Sequence, residues 1–390
     1  MKNYIVIILF LPFILLNAQT PPKFAGFRAS RILQSYPGNK FPSADYWSNT
    51  GKSISGKFNG FSTAAVWIVS LYIDNGETLF NFPSDGYTVP KVSFINTDQN
   101  EEYLDRFDAE GIKVWLQVEP GAASVDTLIH IVLSRYGHHT CIAGFGVDVE
   151  WLDPQLDSWG RQVKDAEARR WEAKVKTFNP AYTLFLKHFT KSRMPASYRG
   201  DIMFIDDSQD FTTSSHKASD ALNNMINEFK AWGNSFPGSK VAFQYGYSVD
   251  EWWWSQLNDP LKTIGDRLMQ AIPNCGGLFW VDFTIAKLFP VTGVADQPAV
   301  VSAFELGQNY PNPFNASTVI SYRLTESAHV SLKVYDVLGN EVKTLRDEFQ
   351  SPGEHAAEFS AQNSTLPSGI YMYRLTAGRF QQTKKLMLLK

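Results

Sequence analysis

The sequence predicts an α/β protein, a (β/α)8 barrel of the TIM type followed by a small all-β sandwich. Three observations point there. Eight apolar, strand-like runs alternate with helix-like stretches between about residues 24 and 290. Eight such units in about 265 residues is the size of a closed eightfold barrel. After residue 290 the texture changes to short alternating strands punctuated by turn residues.

The strand-like runs are 27–36, 64–74, 112–119, 142–150, 183–189, 201–207, 240–247 and 277–284. Between them 101–110, 125–136, 162–176, 218–232 and 260–271 have helix character. Gly111 and Gly233 stand where helix C-caps belong. An open doubly wound sheet is the rival, but it usually has fewer strands, and no Gly-rich phosphate loop follows the first run. In the C-terminal segment, strands are expected at 318–324, at 328–335 before Leu338-Gly339-Asn340, and at 369–375 before Ala377-Gly378.

Composition narrows the class. The 390 residues are enough for two domains with full cores, at 44% hydrophobic and 19% charged. A formal net charge of −3 gives no global basic field, so nucleic acid is not an expected partner. Aromatic residues make up 14%, with 11 Trp, and indole faces serve both as sugar platforms and as core filler. Residues 1–18 read as a secretory signal peptide: Lys2 supplies the basic start, 5–16 is apolar, and Leu16-Asn17-Ala18 offers a cleavage site before Gln19. That run of about twelve residues falls short of the roughly 20 that span a bilayer, so the mature protein is expected to have no transmembrane segment. The domain reading is therefore signal peptide 1–18, barrel 19–290, linker 291–303 and C-terminal domain 304–390. Cys141 and Cys275 fall on opposite sides of the expected barrel, too far apart to bridge, and read as buried thiols.

Barrel enzymes place their chemistry at the C-terminal strand ends. On the fourth strand, alternation puts Asp148 and Glu150 on one face, roughly 6–7 Å apart at Cβ. Neighbouring carboxyls push one pKa up, so that one stays an acid while the other ionises, the division that glycoside hydrolysis requires. On the third strand Gln117 and Glu119 reach the same mouth. Tyr72, Asp206, Gln244, Tyr245, Trp280 and Asp282 end the second, sixth, seventh and eighth strands and complete a ring of acids, amides and aromatics. His188 near the fifth strand end is the one histidine placed to join them, whereas His138-His139 precede the fourth strand and read as surface residues at the opposite end. No His-Glu-x-x-His helix, Cys-rich spacing or Gly-x-Ser-x-Gly elbow is present, and neither a metal nor a cofactor is expected.

The C-terminal segment carries Gln308-Asn309-Tyr310-Pro311-Asn312-Pro313-Phe314-Asn315, then Val334-Tyr335-Asp336-Val337-Leu338-Gly339, Leu366-Pro367-Ser368-Gly369-Ile370-Tyr371 and the basic end Lys384-Lys385-Leu386. Over 304–390 it closely resembles the type A C-terminal sorting domain of the type IX secretion system. The resemblance implies passage across the outer membrane by that machinery, followed by release or surface attachment.

The fourth strand resembles, in degenerate form, the Asp-Gly-x-Asp-x-Asp-x-Glu signature of family 18 glycoside hydrolases. Gly144, Asp148 and Glu150 match, whereas Ala143 and Gly146 stand in place of its first two aspartates. Gly111-Ile112-Lys113-Val114 and Gly276-Gly277-Leu278-Phe279-Trp280 resemble that family's third and eighth strands. On the sixth strand Met203 and Asp206 fit, and Ile205 replaces its tyrosine. The resemblance implies Glu150 as general acid, Asp148 steadying an acetamido group, and an N-acetylhexosamine-containing glycan. Asp148-Val149-Glu150 and Gln244-Tyr245 also resemble the lysozyme-type muramidases of family 25. The resulting expectation is a secreted glycoside hydrolase acting on a β-linked glycan, with Glu119, Gln117, Tyr72, Asp206, Gln244, Tyr245, Trp280 and Asp282 as binders. The alternative is a secreted or surface glycan-binding barrel without catalysis.

Overall fold

The structure, a computed structural model, describes residues 23–157, 159–291 and 304–388, the last without 310, 313, 325–326, 337–339, 363–365 and 378–379. The expected signal peptide, all but the first residue of the expected linker, and the turn residues Leu338, Gly339 and Gly378 lie outside the described residues. The chain forms two compact units, Met1–Thr292 and Gly293–Lys390.

The strands of the first unit are β1 (Lys23–Ala29), β2 (Phe61–Ile73), β3 (Glu77–Phe80), β4 (Val92–Phe94), β5 (Lys113–Val118), β6 (Ile142–Asp148), β7 (Thr183–Lys187), β8 (Ile202–Asp206), β9 (Val241–Tyr245) and β10 (Cys275–Val281). Its helices are α1 (Ala44–Ser55), α2 (Glu101–Glu110), α3 (Val125–Tyr136), α4 (Asp165–Phe178), α5 (Ala218–Ser235), α6 (Glu251–Trp254), α7 (Pro260–Ala271) and α8 (Asp282–Leu288). Strands β1, β2 and β5–β10 pair in parallel in that order, and β1 pairs with both β2 and β10, which closes the barrel. The pleat then sorts side chains to two cores. Inside lie Ala64, Val66, Trp115, Phe185, Met203, Ile205, Ala242 and Phe279. The alternate residues, such as Val114, Leu116, Leu184, Phe204 and Phe243, pack outward under the helices.

Local chemistry sets the element ends. Ser43 caps α1 by accepting from Tyr46 N at 3.3 Å, and Asp259 caps α7, with Pro260 first in the helix, by accepting from Lys262 N at 3.1 Å. Gly111 ends α2 at φ 67°, as its C-cap position requires. Gly233, expected as a cap, lies instead within α5, where an added Cβ would come within 2.6 Å of Ile272 Cγ2, so close packing is what excludes a side chain there.

Four stretches depart from expectation. The first strand starts earlier and stops at Ala29, after which Arg31 takes a positive φ and the chain leaves the sheet in short 3-10 turns. The fourth strand stops at Asp148 and passes into a 3-10 turn, Val149–Trp151. The eighth stops at Val281 because α8 starts at Asp282. Beyond β2 the chain adds an antiparallel partner, β3, through a turn in which Asn75 and Gly76 both have positive φ. Helices α1, α6 and α8 were likewise not apparent from periodicity.

The second unit holds β11 (Phe304–Leu306), β12 (Ser317–Leu324), β13 (Ala328–Tyr335), β14 (Glu341–Gln350), β15 (Gly353–Ser360), β16 (Gly369–Ala377) and β17 (Phe380–Leu388). Their sheets, β11-β12-β15 and β14-β13-β16-β17, are antiparallel. Ile320, Tyr322 and Leu324 share one core with Val330, Leu332, Val334, Tyr373 and Leu375. Among the described residues, no helix is long and apolar enough to cross a membrane. Cys141 and Cys275 are both free and buried.

Gly146 leaves no room for a side chain in the barrel interior, since an added Cβ would lie 1.9 Å from the Phe185 ring. Gly146→Ala is expected to destabilise the barrel by about 1–3 kcal/mol through overpacking, read as a lower midpoint in chemical denaturation.

Candidate active site

The inward face of each strand decides what reaches the mouth. On β6, Gly144, Gly146 and Asp148 alternate with the outward Phe145 and Val147, so Asp148 points inward. The 3-10 turn that follows carries Glu150 to the same side, where it meets Lys187 from β7. On β5 and just past its end, Gln117 and Glu119 alternate with the outward Leu116 and Val118.

Lys187 sits at the centre of the cluster and is 3% exposed. Its Nζ lies 3.1 Å from Asp148 Oδ2 and 2.7 Å from Glu150 Oε1, and it also contacts Asp207 Oδ2. Gln117 Nε2 donates to Asp148 Oδ2 at 3.1 Å, Tyr247 OH donates to Asp207 Oδ2 at 3.2 Å, and Tyr72 N donates to Glu119 Oε2 at 2.8 Å. Among the described residues, Asp148 Oδ1, Asp207 Oδ1, Gln117 Oε1 and both amide atoms of Gln244 are buried without a hydrogen-bond partner.

The electrostatics separate the carboxyls. Burial, reinforced by the Asp207 charge, pushes Glu150 up to about 9. Burial opposes ionisation of Asp207 as well, but the Lys187 ammonium and a hydrogen bond from Glu150 hold its pKa below the usual value. Glu150 is therefore the protonated member of the pair and Asp207 the ionised one. Burial and the charge of Asp148 raise Glu119 to about 7. Lys187 stays charged, because the attraction of the neighbouring carboxylates, Asp148 and Asp207 first, outweighs its desolvation. A protonated amine has no lone pair for Schiff-base chemistry.

Several expected site residues face elsewhere. Asp206 is fully buried on the outward face of β8, where it accepts from Ser208 N and Oγ at 2.8 and 2.7 Å; the mouth receives Asp207, one residue later. Tyr245 and Trp280 are also outward and pack edge to face at 5.4 Å under the helices, with Trp254 at 5.1 Å from Trp280. Pleat parity explains all three, since each lies one residue from an inward position. Asp282 is fully buried and saturated by Ser30 N (2.7 Å), Ser30 Oγ (2.9 Å) and Tyr36 OH (2.6 Å), with Arg28 Nη1 at 3.4 Å. It ties β1 to the start of α8 and leaves no oxygen for a ligand. Asp148 is 1% exposed and pairs with Lys187.

His188 is structural: Nε2 donates to Trp159 O at 2.7 Å, Nδ1 accepts from Thr190 N at 2.8 Å, and burial lowers its pKa to about 4. His139, expected at the surface, is only 3% exposed. At the rim Tyr72 stacks on Trp151 at 4.9 Å, and Trp159 is 59% exposed. Sequence reasoning missed Arg28 and Lys187, and it placed Asp207 and Tyr247 at the strand ends without choosing them as binders. A charged residue at an inward position of an otherwise apolar strand was the available signal for Arg28 and Lys187. A cleft of about 550 Å³, lined in part by Phe189, Asp210, Phe211, Asn224 and Glu228, opens alongside over the segment after β8.

Residues 308–389 match the family described as the secretion system C-terminal sorting domain. This segment marks the chain for export through the type IX secretion system to the cell surface or beyond. No curated protein matches the sequence. Solved structures similar to it include an endo-β-1,4-mannanase from Thermotoga petrophila, at 10% identity and a TM-score of 0.36, covering 95% of this chain and 98% of that one. A modular endo-β-1,4-mannanase from Cellulomonas fimi gives 11% and 0.35, covering 94% and 93%. A β-glucuronidase from an uncultured Clostridium gives 8% and 0.40, covering 67% of this chain and 44% of that one. At this level the likeness does not extend to chemistry.

Lys187→Met leaves the buried carboxyls of Asp148, Glu150 and Asp207 without their cation. The variant is expected to lose about 3–5 kcal/mol of stability, measured by chemical denaturation at neutral pH.

Proposed function

We propose that the exported barrel hydrolyses a β-linked glycan, with Glu150 as general acid and Glu119 as the base that activates water. The observation carrying this reading is the separation of carboxyl states at the mouth. Glu150 is held protonated against an ionised Asp207, and its side chain keeps 18% exposure. Glu119, on the neighbouring strand and raised to about 7, is poised to take a proton near neutrality. Groups whose environments push their pKa values apart supply acid and base in one site. The buried, unpartnered amide of Gln244 and oxygens of Gln117 and Asp207 suit a ligand rich in hydroxyls, which both donates and accepts. The stacked Tyr72 and Trp151 offer an apolar face to a sugar ring. Substrate-assisted chemistry is not part of the proposal, because Asp148 is engaged with Lys187 and Gln117 and Gly146 faces Phe185.

One observation favours the second reading, a glycan-binding barrel without turnover. Lys187 already neutralises the carboxylates that would stabilise a cationic transition state. Reducing-sugar release by the full chain across chitin oligomers, peptidoglycan and N-glycans, beside Glu150→Gln, separates the two. The hydrolase loses about 10²–10⁴-fold in kcat/KM in the variant and keeps binding, whereas a binder shows no turnover in either protein.

The pH profile follows from the same groups. The base must be ionised, so activity falls as pH drops through about 7. The acid must be protonated, so activity falls as pH rises through about 9. Asp207→Asn removes a charge that raises the Glu150 pKa and is expected to move the alkaline limb to lower pH. An unmoved limb would assign that limb to a different group.

A further inference from the structure

Opposite the mouth, the turn between α3 and β6 sets two imidazoles against the first residue of α2. His139 Nδ1 lies 2.7 Å from Asp108 Oδ2, and Asp108 Oδ1 in turn accepts from Cys141 N at 2.6 Å and Thr140 Oγ1 at 3.0 Å. A carboxylate only accepts, so the Nδ1 of His139 carries the hydrogen and its Nε2 presents a bare lone pair in the neutral ring. His138 repeats the arrangement with its Nδ1 2.9 Å from the Arg135 carbonyl, which likewise only accepts. Both Nε2 atoms lie 3.3 Å from the same oxygen, Glu101 Oε1. The His139 side chain is 2% exposed, and its Nε2 has no hydrogen-bond partner among the described residues.

Two nitrogen lone pairs and a carboxylate oxygen thus converge, all within 4.8 Å of one another. Without a proton or a metal cation between them they repel. A tetrahedral zinc ion with bonds of about 2.0–2.1 Å places adjacent ligand atoms about 3.3 Å apart, the length of both measured edges here. A carboxylate that accepts from the far ring nitrogen, as Asp108 does from His139 Nδ1, is the arrangement that orients an imidazole towards a metal. His138 and Glu101 are 60% and 44% exposed at their side chains, which leaves an entry path from solvent.

We propose that Glu101 Oε1, His138 Nε2 and His139 Nε2 form a zinc site on the N-terminal face of the barrel. The fourth position is open to water, and the ion would staple α2 to the turn before β6. Two imidazoles and one carboxylate suit zinc among the divalent ions. The neighbouring set of Asp108, His139 and Cys141 does not compete for it. Burial pushes the Cys141 thiol up and keeps it protonated, and both oxygens of Asp108 are already engaged.

The test is a calorimetric titration of the chelator-stripped full chain with zinc chloride alone, at mildly alkaline pH. One zinc per chain is expected, with affinity reduced roughly 10-fold or more in His138→Ala and in Glu101→Gln. Saturating zinc is expected to raise the Tm of the wild-type chain by on the order of 5 °C and to leave that of His138→Ala unmoved. Both substituted side chains are exposed, so the variants should fold, and their circular dichroism checks this. No stoichiometric binding by the wild-type chain, or equal affinity in the two variants, would overturn the site and identify the cluster as a protonated histidine held between Glu101 and Asp108.

Discussion

The ammonium of Lys187 is the charge around which the barrel mouth is organised. It comes from the end of β7 and meets Asp148 at the end of β6, Glu150 in the turn beyond it, and Asp207 just past the end of β8. Removing the ammonium or an ionised carboxylate from water costs several kcal/mol, so neither is tolerable there without the other. The same contact makes the carboxyls unequal. Asp207 stays ionised beside the lysine, and Glu150, buried next to that negative charge, keeps its proton. Structural tie and chemical asymmetry therefore have one origin.

A second network performs the equivalent task where the barrel closes. Asp282 collects the Ser30 amide and hydroxyl and the Tyr36 hydroxyl, with Arg28 nearby. It also occupies the first turn of α8, where a negative charge complements the helix dipole. Arg28 thereby extends the positive field of the mouth towards Glu119 and Asp148. Beneath the helices Tyr245, Trp254 and Trp280 pack against one another, so much of the aromatic content serves as core. In the C-terminal unit, Asn309 of the sorting motif is buried, its side-chain Nδ2 donating to Thr318 Oγ1 at 2.9 Å and its backbone N–H to Tyr373 OH at 2.9 Å. That part of the motif is needed to build its own sandwich.

Much of the fold was legible because it rests on local periodicity. The bounds of α2, α3 and α7 agree with the expected stretches, and all eight barrel strands overlap theirs. Helix α1 escaped because its apolar stripe is thin, with Trp47 and Ile54 among polar and small residues. The Asn75-Gly76 hairpin was readable in principle, since that dipeptide favours positive φ, but it was hidden in a polar stretch.

For the site, the sequence by itself determined which strand ends carry ionisable groups and, on β5 and β6, which way they point. Alternation within an unbroken strand is a local property of the pleat, and Gln117, Glu119 and Asp148 follow it. Only the tertiary structure decided the rest. Whether Asp206 or Asp207 faces inward, and whether Trp280 lines the mouth or the helix layer, depends on pleat parity at a strand end. That parity is set by the closed sheet and by where each strand stops. The partnership of Lys187 with residues from two other strands, and of His139 with a helix about thirty residues earlier, is a matter of chain distance that no local pattern encodes. Nor is the protonation of Glu150, because a pKa is fixed by the charges and solvent that folding brings around the group.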